Sequence, residues 1–245
     1  MTYQSVFQRY EIKYILTRAQ AAAVKEAIAG KMHIDEYGPT TIRNIYFDTD
    51  NYRIIRTSLD KPVYKEKLRI RSYRYAGSED TVFVELKKKY EGVVYKRRTE
   101  VMSCLAMDWL AAYGDAPEDS QIAREITYFR DFYKTLAPKV FISYLREAYV
   151  PVSGETDLRI TFDTDILGRE GDLSFASGIY GQKILPDDQV LMEIKVPGVV
   201  PLWLSRILSR NGIRKQSYSK YGGYYIDYIL HNDTDKDQKG VLLYA

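Results

Sequence analysis

The stretch Lys67-Leu68-Arg69-Ile70-Arg71 decides the reading of this chain. In extended backbone, successive side chains point to opposite faces, so Lys67, Arg69 and Arg71 share one side and Leu68 and Ile70 the other. One such strand is an ordinary solvated sheet face. Here the alternation recurs in Arg9-Tyr10-Glu11-Ile12-Lys13, Glu85-Leu86-Lys87, Lys96-Arg97-Arg98, Arg159-Ile160-Thr161-Phe162-Asp163 and Glu193-Ile194-Lys195. Strands that all point cations one way, with a few carboxylates among them, imply a closed barrel lined for a polyanion and its metal ion.

Composition supports an interior field. The chain has 245 residues, is 45% hydrophobic and carries a net charge of only +3. If about a dozen cations line an interior, the remaining surface is slightly acidic, unlike a nucleic-acid binder, which displays its positive charge outside. No nucleic-acid partner is therefore expected. The single cysteine, Cys104, excludes a disulfide framework and multi-cysteine zinc motifs, and is expected to be a small buried side chain. Only His33 and His231 are present, on an expected helix end and the C-terminal helix, so histidine acid-base chemistry is not the expected route. No apolar window approaches the ~20 residues of a membrane span, and no apolar leader is visible. A soluble, cytoplasmic protein with no transmembrane segment is expected, in which a membrane-bound partner is not visible.

Working outward from the deciding strand, eight segments read as strands: 9–13, 41–49, 65–75, 81–89, 93–101, 139–149, 158–164 and 190–196. Tyr90-Glu91-Gly92 is a short turn that makes a hairpin of its flanking strands. Thr17 is positioned to N-cap an Ala-rich helix running to about Met32. Asp50-Asn51 reads as a polar turn. Ser103 opens a short helix bearing Trp109, and a second runs from about Glu118 to Leu136 with Ile122, Ile126, Phe129, Phe132 and Tyr133 as its apolar stripe. A Gly-rich irregular stretch covers 168–188, a helix follows Pro201, and a last one spans about Ser219 to Leu230, after which the tail from about 232 is polar enough to fray. No composition break divides the chain, so residues 1–245 are read as one domain. The fold class is α+β: an eight-stranded antiparallel closed barrel with flanking helices, connected most economically as a meander.

Arg69 and Arg71 lie about 7 Å apart by strand rise, and Arg grips phosphate bidentately. Glu193 shares a strand face with Leu191 and Lys195 and is the leading candidate for a metal carboxylate, with Glu11 or Glu85 as further candidates. A hard divalent ion beside phosphates needs only one or two protein oxygens. Arg146 arrives on the otherwise apolar face of Val140, Ile142 and Tyr144. Gly-rich phosphate loops are absent, so a nucleotide here is held by side chains.

The ordered set Arg9-Tyr10-Glu11-Ile12-Lys13-Tyr14, Tyr46-Phe47-Asp48-Thr49, Lys67-Leu68-Arg69-Ile70-Arg71, Val84-Glu85-Leu86-Lys87, Lys96-Arg97-Arg98, Tyr144-Leu145-Arg146, Arg159-Ile160-Thr161-Phe162-Asp163, Met192-Glu193-Ile194-Lys195 and Ser219-Lys220-Tyr221 resembles the VTC polyphosphate polymerase domain, a branch of the CYTH-like triphosphate tunnel metalloenzymes. The resemblance spans nearly the whole chain. It implies a tunnel that binds ATP and inorganic polyphosphate or triphosphate, uses Mn2+ or Mg2+, and transfers the γ-phosphoryl group of ATP onto a polyphosphate chain. It also implies that Lys13, Arg69, Arg71, Lys87, Lys96, Arg98, Arg146, Arg159, Lys195, Ser219 and Lys220 contact phosphate and that Glu193 holds the metal. Lys67 joins this set by its strand face. Among these, Arg69, Arg71, Lys87 and Arg159 are expected to clamp the donor, and Lys13, Lys195 and Lys220 to steer the acceptor.

Two departures bear on these expectations. The hydrolytic tunnel enzymes begin Glu-x-Glu-x-Lys, whereas this chain has Arg9 in the first position. Where the eukaryotic VTC pattern has a lysine two residues before the final serine, this chain has Ser217, with Lys215 two residues further back as the candidate substitute. A metal-dependent triphosphatase or polyphosphatase, and a non-catalytic polyphosphate-binding module, are the alternatives.

Overall fold

The computed structural model describes residues 6–153 and 157–231. Its strands are β1 (Val6–Thr17), β2 (Met32–Ile34), β3 (Thr40–Asp48), β4 (Tyr64–Ser72), β5 (Thr81–Tyr90), β6 (Val93–Met102), β7 (Ala137–Pro151), β8 (Arg159–Arg169), β9 (Gln182–Lys183) and β10 (Gln189–Val196). Eight of them form a closed antiparallel ring in the order β7-β3-β4-β5-β6-β1-β10-β8, with β8 returning to β7. The short strands β2 and β9 extend it at β7 and β8. The strands are not spaced evenly round one axis.

A continuous meander would pair every strand with its successor; β3 to β6 do so, and so do β7, β8 and β9, but β6 does not pair with β7. The N-terminal strand instead bridges β6 and β10, with Lys13 opposite Glu193 and Phe7 opposite Lys96. The expected hairpin is present. Glu91 and Gly92 both take positive φ, 47° and 87°, the backbone of a two-residue turn whose twist matches its strands.

Alternation sends each strand's apolar residues outward, under helices. Leu68, Ile70, Val84, Leu86, Ile45 and Phe47 pack beneath α3 (Ser103–Ala111) and α4 (Gln121–Tyr133), which contribute Trp109, Leu110, Ile126 and Phe129. Across the ring, Tyr14, Leu16, Phe162, Met192 and Ile194 pack beneath α1 (Arg18–Ile28) and α5 (Leu202–Arg210). Burying each such side chain contributes about 1.5–3 kcal/mol relative to exposure, so the shell around the ring holds the molecule together. The ring's inner face is left to charge.

At one end the part of the inner face on β3, β7 and β10 turns apolar and is covered by α6 (Lys220–Tyr224) and the π-helical turn Tyr225–Leu230. Tyr221, Tyr224, Tyr225 and Ile229 pack there with Ile42, Tyr46, Val140 and Leu191. The approach is close at Gly168, where a Cβ would lie 2.3 Å from Cδ2 of Tyr224.

Several local expectations are corrected. The helix capped by Thr17 ends at Ile28 instead of Met32, because Met32–Ile34 pairs with the long end of β7. His33 therefore stands on a strand. Cys104 is exposed, since α3 turns Trp109 and Leu110 inward in its place. The turn at Asp50-Asn51 leads into a helix that sequence reading passed over, α2 (Arg53–Leu59). Its N-cap residue, Tyr52, supplies no side-chain cap. Asp48 does the work from upstream, accepting from the backbone N–H groups of Thr49, Ile54 and Ile55. The tail expected to fray lies outside the described residues from 232 onward.

Candidate functional site

Parity of the strands carries the inward side chains to a common bore. β4 supplies Lys67, Arg69 and Arg71; β1 supplies Arg9, Glu11 and Lys13; β5 and β6 supply Glu85, Lys87, Lys96 and Arg98; β7, β8 and β10 supply Arg146, Arg159, Asp163, Glu193 and Lys195. Lys220 enters from the first residue of α6. Twelve cations thus share the bore with four carboxylates among the described residues.

The carboxylates are not equivalent. Glu85, 1% exposed, sits between Arg69 at 2.7 Å and Lys96 at 2.6 Å, with Arg71 at 3.8 Å and Arg98 at 3.9 Å. Burial works against its charge, but Arg71, Lys96 and Arg69 outweigh it and hold its pKa well below the usual range. Asp163 is gripped by Arg146 through two bonds of 2.6 and 2.7 Å and by Lys220 at 2.6 Å. Glu11 accepts from Lys87 at 2.5 Å, and despite burial its pKa falls to about 2 under the charge of that lysine.

Glu193 differs. Lys195, Lys13, Arg146 and Lys220 ring it at 3.3, 3.5, 3.7 and 3.8 Å, every one beyond ordinary charge-assisted hydrogen-bond length. Its lone pairs are held near positive charge without being used up. A hard divalent cation needs such an oxygen, and Glu193 fits it where Glu85 and Asp163, saturated by short bonds, do not. No group of three or more metal-ligating side chains occurs among the described residues, so any ion held here takes its other ligands from phosphate and water.

Among the described residues no carboxylate lies at ion-pair distance from Lys67; its Nζ donates to Ser219 Oγ at 2.8 Å. Burial lowers its pKa well below the ordinary value, and Lys13 and Lys87 lower it further. Lys13 donates to the Tyr218 carbonyl at 2.8 Å. These three lysines and the start of α6 form one end of the bore. The opposite end is bordered by Arg9, Arg159 and Lys195, where Arg159 bonds Asp35 at 2.6 Å and keeps 41% of its side chain exposed.

Residues 8–225 match a family model described as VTC domain. The chain belongs to the VTC domain family. A solved Bacillus halodurans protein assigned as an adenylate cyclase overlays this VTC domain with a TM-score of 0.55 at 16% identity, covering 88% of this chain and 96% of that one. A Vibrio parahaemolyticus protein of the same assignment gives 0.42 at 9% identity, covering 86% and 95%. At these identities the first likeness is one of fold. No curated protein matches the chain. No helix among the described residues of the VTC domain is long and apolar enough to cross a membrane.

Of the site residues expected from sequence, the fold gathers all but one into or beside the bore. Lys215 is the exception. It is exposed and lines a surface hollow with Tyr14, Leu208 and Ile213, on the outward face of β1 under α5. The segment reaches the barrel through its backbone, Gln216 N–H bonding the Lys13 carbonyl, which leaves the Lys215 side chain outside.

Sequence reading also missed groups that orient the cations. Asn44 accepts from Arg71 Nε at 3.0 Å, and Tyr46 and Tyr144 take Arg69 and Arg71 at 2.9 and 3.2 Å. The inward parity of Asn44 and Tyr46 on β3 was the available signal.

These lysines make anion binding pH-dependent. Burial draws Lys96 down to about 8, with Glu85 opposing and Arg71 adding to the fall. A bound polyanion raises that pKa again, so above about pH 8 binding must take up protons and affinity must fall as pH rises. Calorimetric titration with tripolyphosphate near pH 8.5 in two buffers of different ionisation enthalpy should show net proton uptake, reduced in Lys96→Met. Equal apparent enthalpies in both buffers would refute this.

Proposed function

We propose that this VTC domain is an ATP-dependent polyphosphate polymerase, transferring the γ-phosphoryl group of ATP onto the end of a polyphosphate chain inside the bore. The observation that carries this reading is the extension of cationic lining past the Glu85-centred clamp, to Lys13, Lys67 and Lys87 beside Ser219 and Lys220. A donor triphosphate satisfies Arg69, Arg71, Lys96 and Arg98. The lysines beyond it, Lys67 above all, call for a second anion, and a hydrolase needs only water there.

Phosphoryl transfer passes through a loose transition state, so the protein's task is to align donor and acceptor and to offset charge on the transferring group. Arg69 and Arg71, fixed by Tyr46, Asn44 and Glu85, hold the donor phosphates without reorganising. Lys13, Lys67 and Lys220 hold the terminal phosphate of the acceptor in line with the γ-phosphorus, together with Lys87, which pairs opposite Lys67 and so serves the acceptor instead of the donor. Its oxygen forms the new bond, the bond to the β–γ bridging oxygen breaks, and ADP departs with that oxygen. Arg146 and Lys195 flank the transferring group, and Arg159 meets the donor at the outer mouth. Glu193 would hold Mn2+ or Mg2+, which when bound draws charge from the phosphate oxygens.

The test is product identity. Purified protein with ATP and Mn2+ should release ADP in step with an acid-labile polymer, after a lag that short polyphosphate primers remove, because a bound chain supplies acceptor at high effective concentration. Orthophosphate equal to ADP, with no polymer at any primer length, would establish a triphosphatase instead. Tight polyphosphate binding without turnover would leave a binding module.

A further inference from the structure

Arg71 is not the last inward residue on its strand line. The residue next in the alternation of Lys67, Arg69 and Arg71 is Tyr73, in the bend one residue beyond the end of β4. Its ring lies edge-on to Phe83 at 5.4 Å and 74°, with the guanidinium of Arg98 5.4 Å and that of Arg71 5.8 Å from its centre. The residue is 38% exposed. Arg71 donates to Tyr144, which shares an inward strand face with Arg146 on β7, and Arg159 lies on β8, the strand paired with β7.

An inorganic polyphosphate chain carries nothing an aromatic ring can recognise. A nucleoside triphosphate carries both a string of phosphates and a flat π-face, with a ribose between. The bore offers the matching order along one strand: an accessible ring at the mouth, then Arg71, then Arg69 within. Phe83 packs against that ring in a T-shaped pair, the guanidinium groups of Arg71 and Arg98 stand over it, and the residue keeps more than a third of its surface exposed.

We propose that Tyr73 is a nucleobase-stacking platform that selects a nucleoside triphosphate as donor and orients it, base at the Arg159 mouth and γ-phosphate inward. This deepens the polymerase reading and rests on it for the donor's role, but not for the binding it describes. It also gives the bore a direction, since a donor entering at Tyr73 leaves the lysine end for the growing chain.

The experiment compares two ligands that differ in the nucleoside. Dissociation constants for a β,γ-imido analogue of ATP and for inorganic tripolyphosphate are measured on wild type, Tyr73→Ala, Tyr73→Phe and Tyr73→Trp. Base-aromatic stacking is worth about 1–3 kcal/mol, so the alanine variant should bind the nucleotide about tenfold more weakly. Tripolyphosphate affinity should stay unchanged, which also reports an intact bore, and Phe and Trp should preserve the nucleotide's affinity. Equal weakening of both ligands in Ala and Phe would make the hydroxyl a phosphate ligand and overturn the proposal. So would a wild type that binds the nucleotide no more tightly than tripolyphosphate. Selective loss in Tyr73→Ala from a protein that forms no polymer would uphold the platform while the polymerase reading fell.

Discussion

Glu85→Gln should lower the stability of the empty protein by about 3–5 kcal/mol, the range for removing one partner of a buried charge cluster. The substitution keeps the shape and takes away a carboxylate shared by Arg69, Arg71, Lys96 and Arg98. Four cations that remain close together in a bore of low dielectric repel one another. Saturating tripolyphosphate supplies the missing negative charge, and the variant should therefore gain more from that ligand than wild type does. Denaturant unfolding with and without ligand measures both effects. A variant as stable as wild type, or one that the ligand stabilises no more than wild type, would contradict the role given to Glu85. In wild type, the contribution of this carboxylate is present above its unfolded pKa and is lost only as pH falls through its depressed folded value.

Glu193→Gln should act mainly on turnover and cost the fold less than Glu85→Gln. Its oxygens stand 3.3–3.8 Å from four cations, so little hydrogen bonding is lost with the charge, and what is lost is the attraction that holds its pKa well below the usual range. We expect metal-dependent turnover to drop by about 100-fold or more, since several kcal/mol of charge stabilisation is at stake and each 1.36 kcal/mol is tenfold. Tripolyphosphate should bind as tightly or more tightly, because the bore becomes more positive. The same ring of cations predicts that Mn2+ binds wild type weakly by itself and strongly once phosphate is present. Unchanged turnover under limiting Mn2+ would remove Glu193 from the metal-holding role.

The barrel was legible because its pattern is period 2 and its charge is one-sided. Lys67-Leu68-Arg69-Ile70-Arg71 cannot place both faces in water and leave the flanking helices anything to cover, so one charged face had to become an interior. Counter-ion geometry was not legible. Glu85 and Glu193 occupy similar positions in similar strands, and only cross-strand register tells them apart: Glu85 falls opposite Arg69 and Arg98, while Glu193 falls opposite Lys13 and Thr161. Contacts made from loops were likewise hidden. Asp35 reaches Arg159 across more than a hundred residues, and α2 escaped notice because its cap is Asp48, several residues before the helix starts. Lys215 was misplaced because spacing along the chain cannot tell which side of a connecting segment faces the bore.

The ring is sealed by its first strand, which must find partners on β6 and on β10, pairing residue 13 with residue 193. Contacts so distant in sequence form slowly, and until they form the sheet keeps two open edges. Closure is also the moment at which Arg9, Lys13 and Lys195 are driven toward the cations already assembled on β4 to β6. The folding barrier thus has an electrostatic part that depends on the surroundings: salt, or a polyanion threaded between the edges before they meet, should lower it. A chain of phosphates would in this way act as a mandrel around which the barrel is wound.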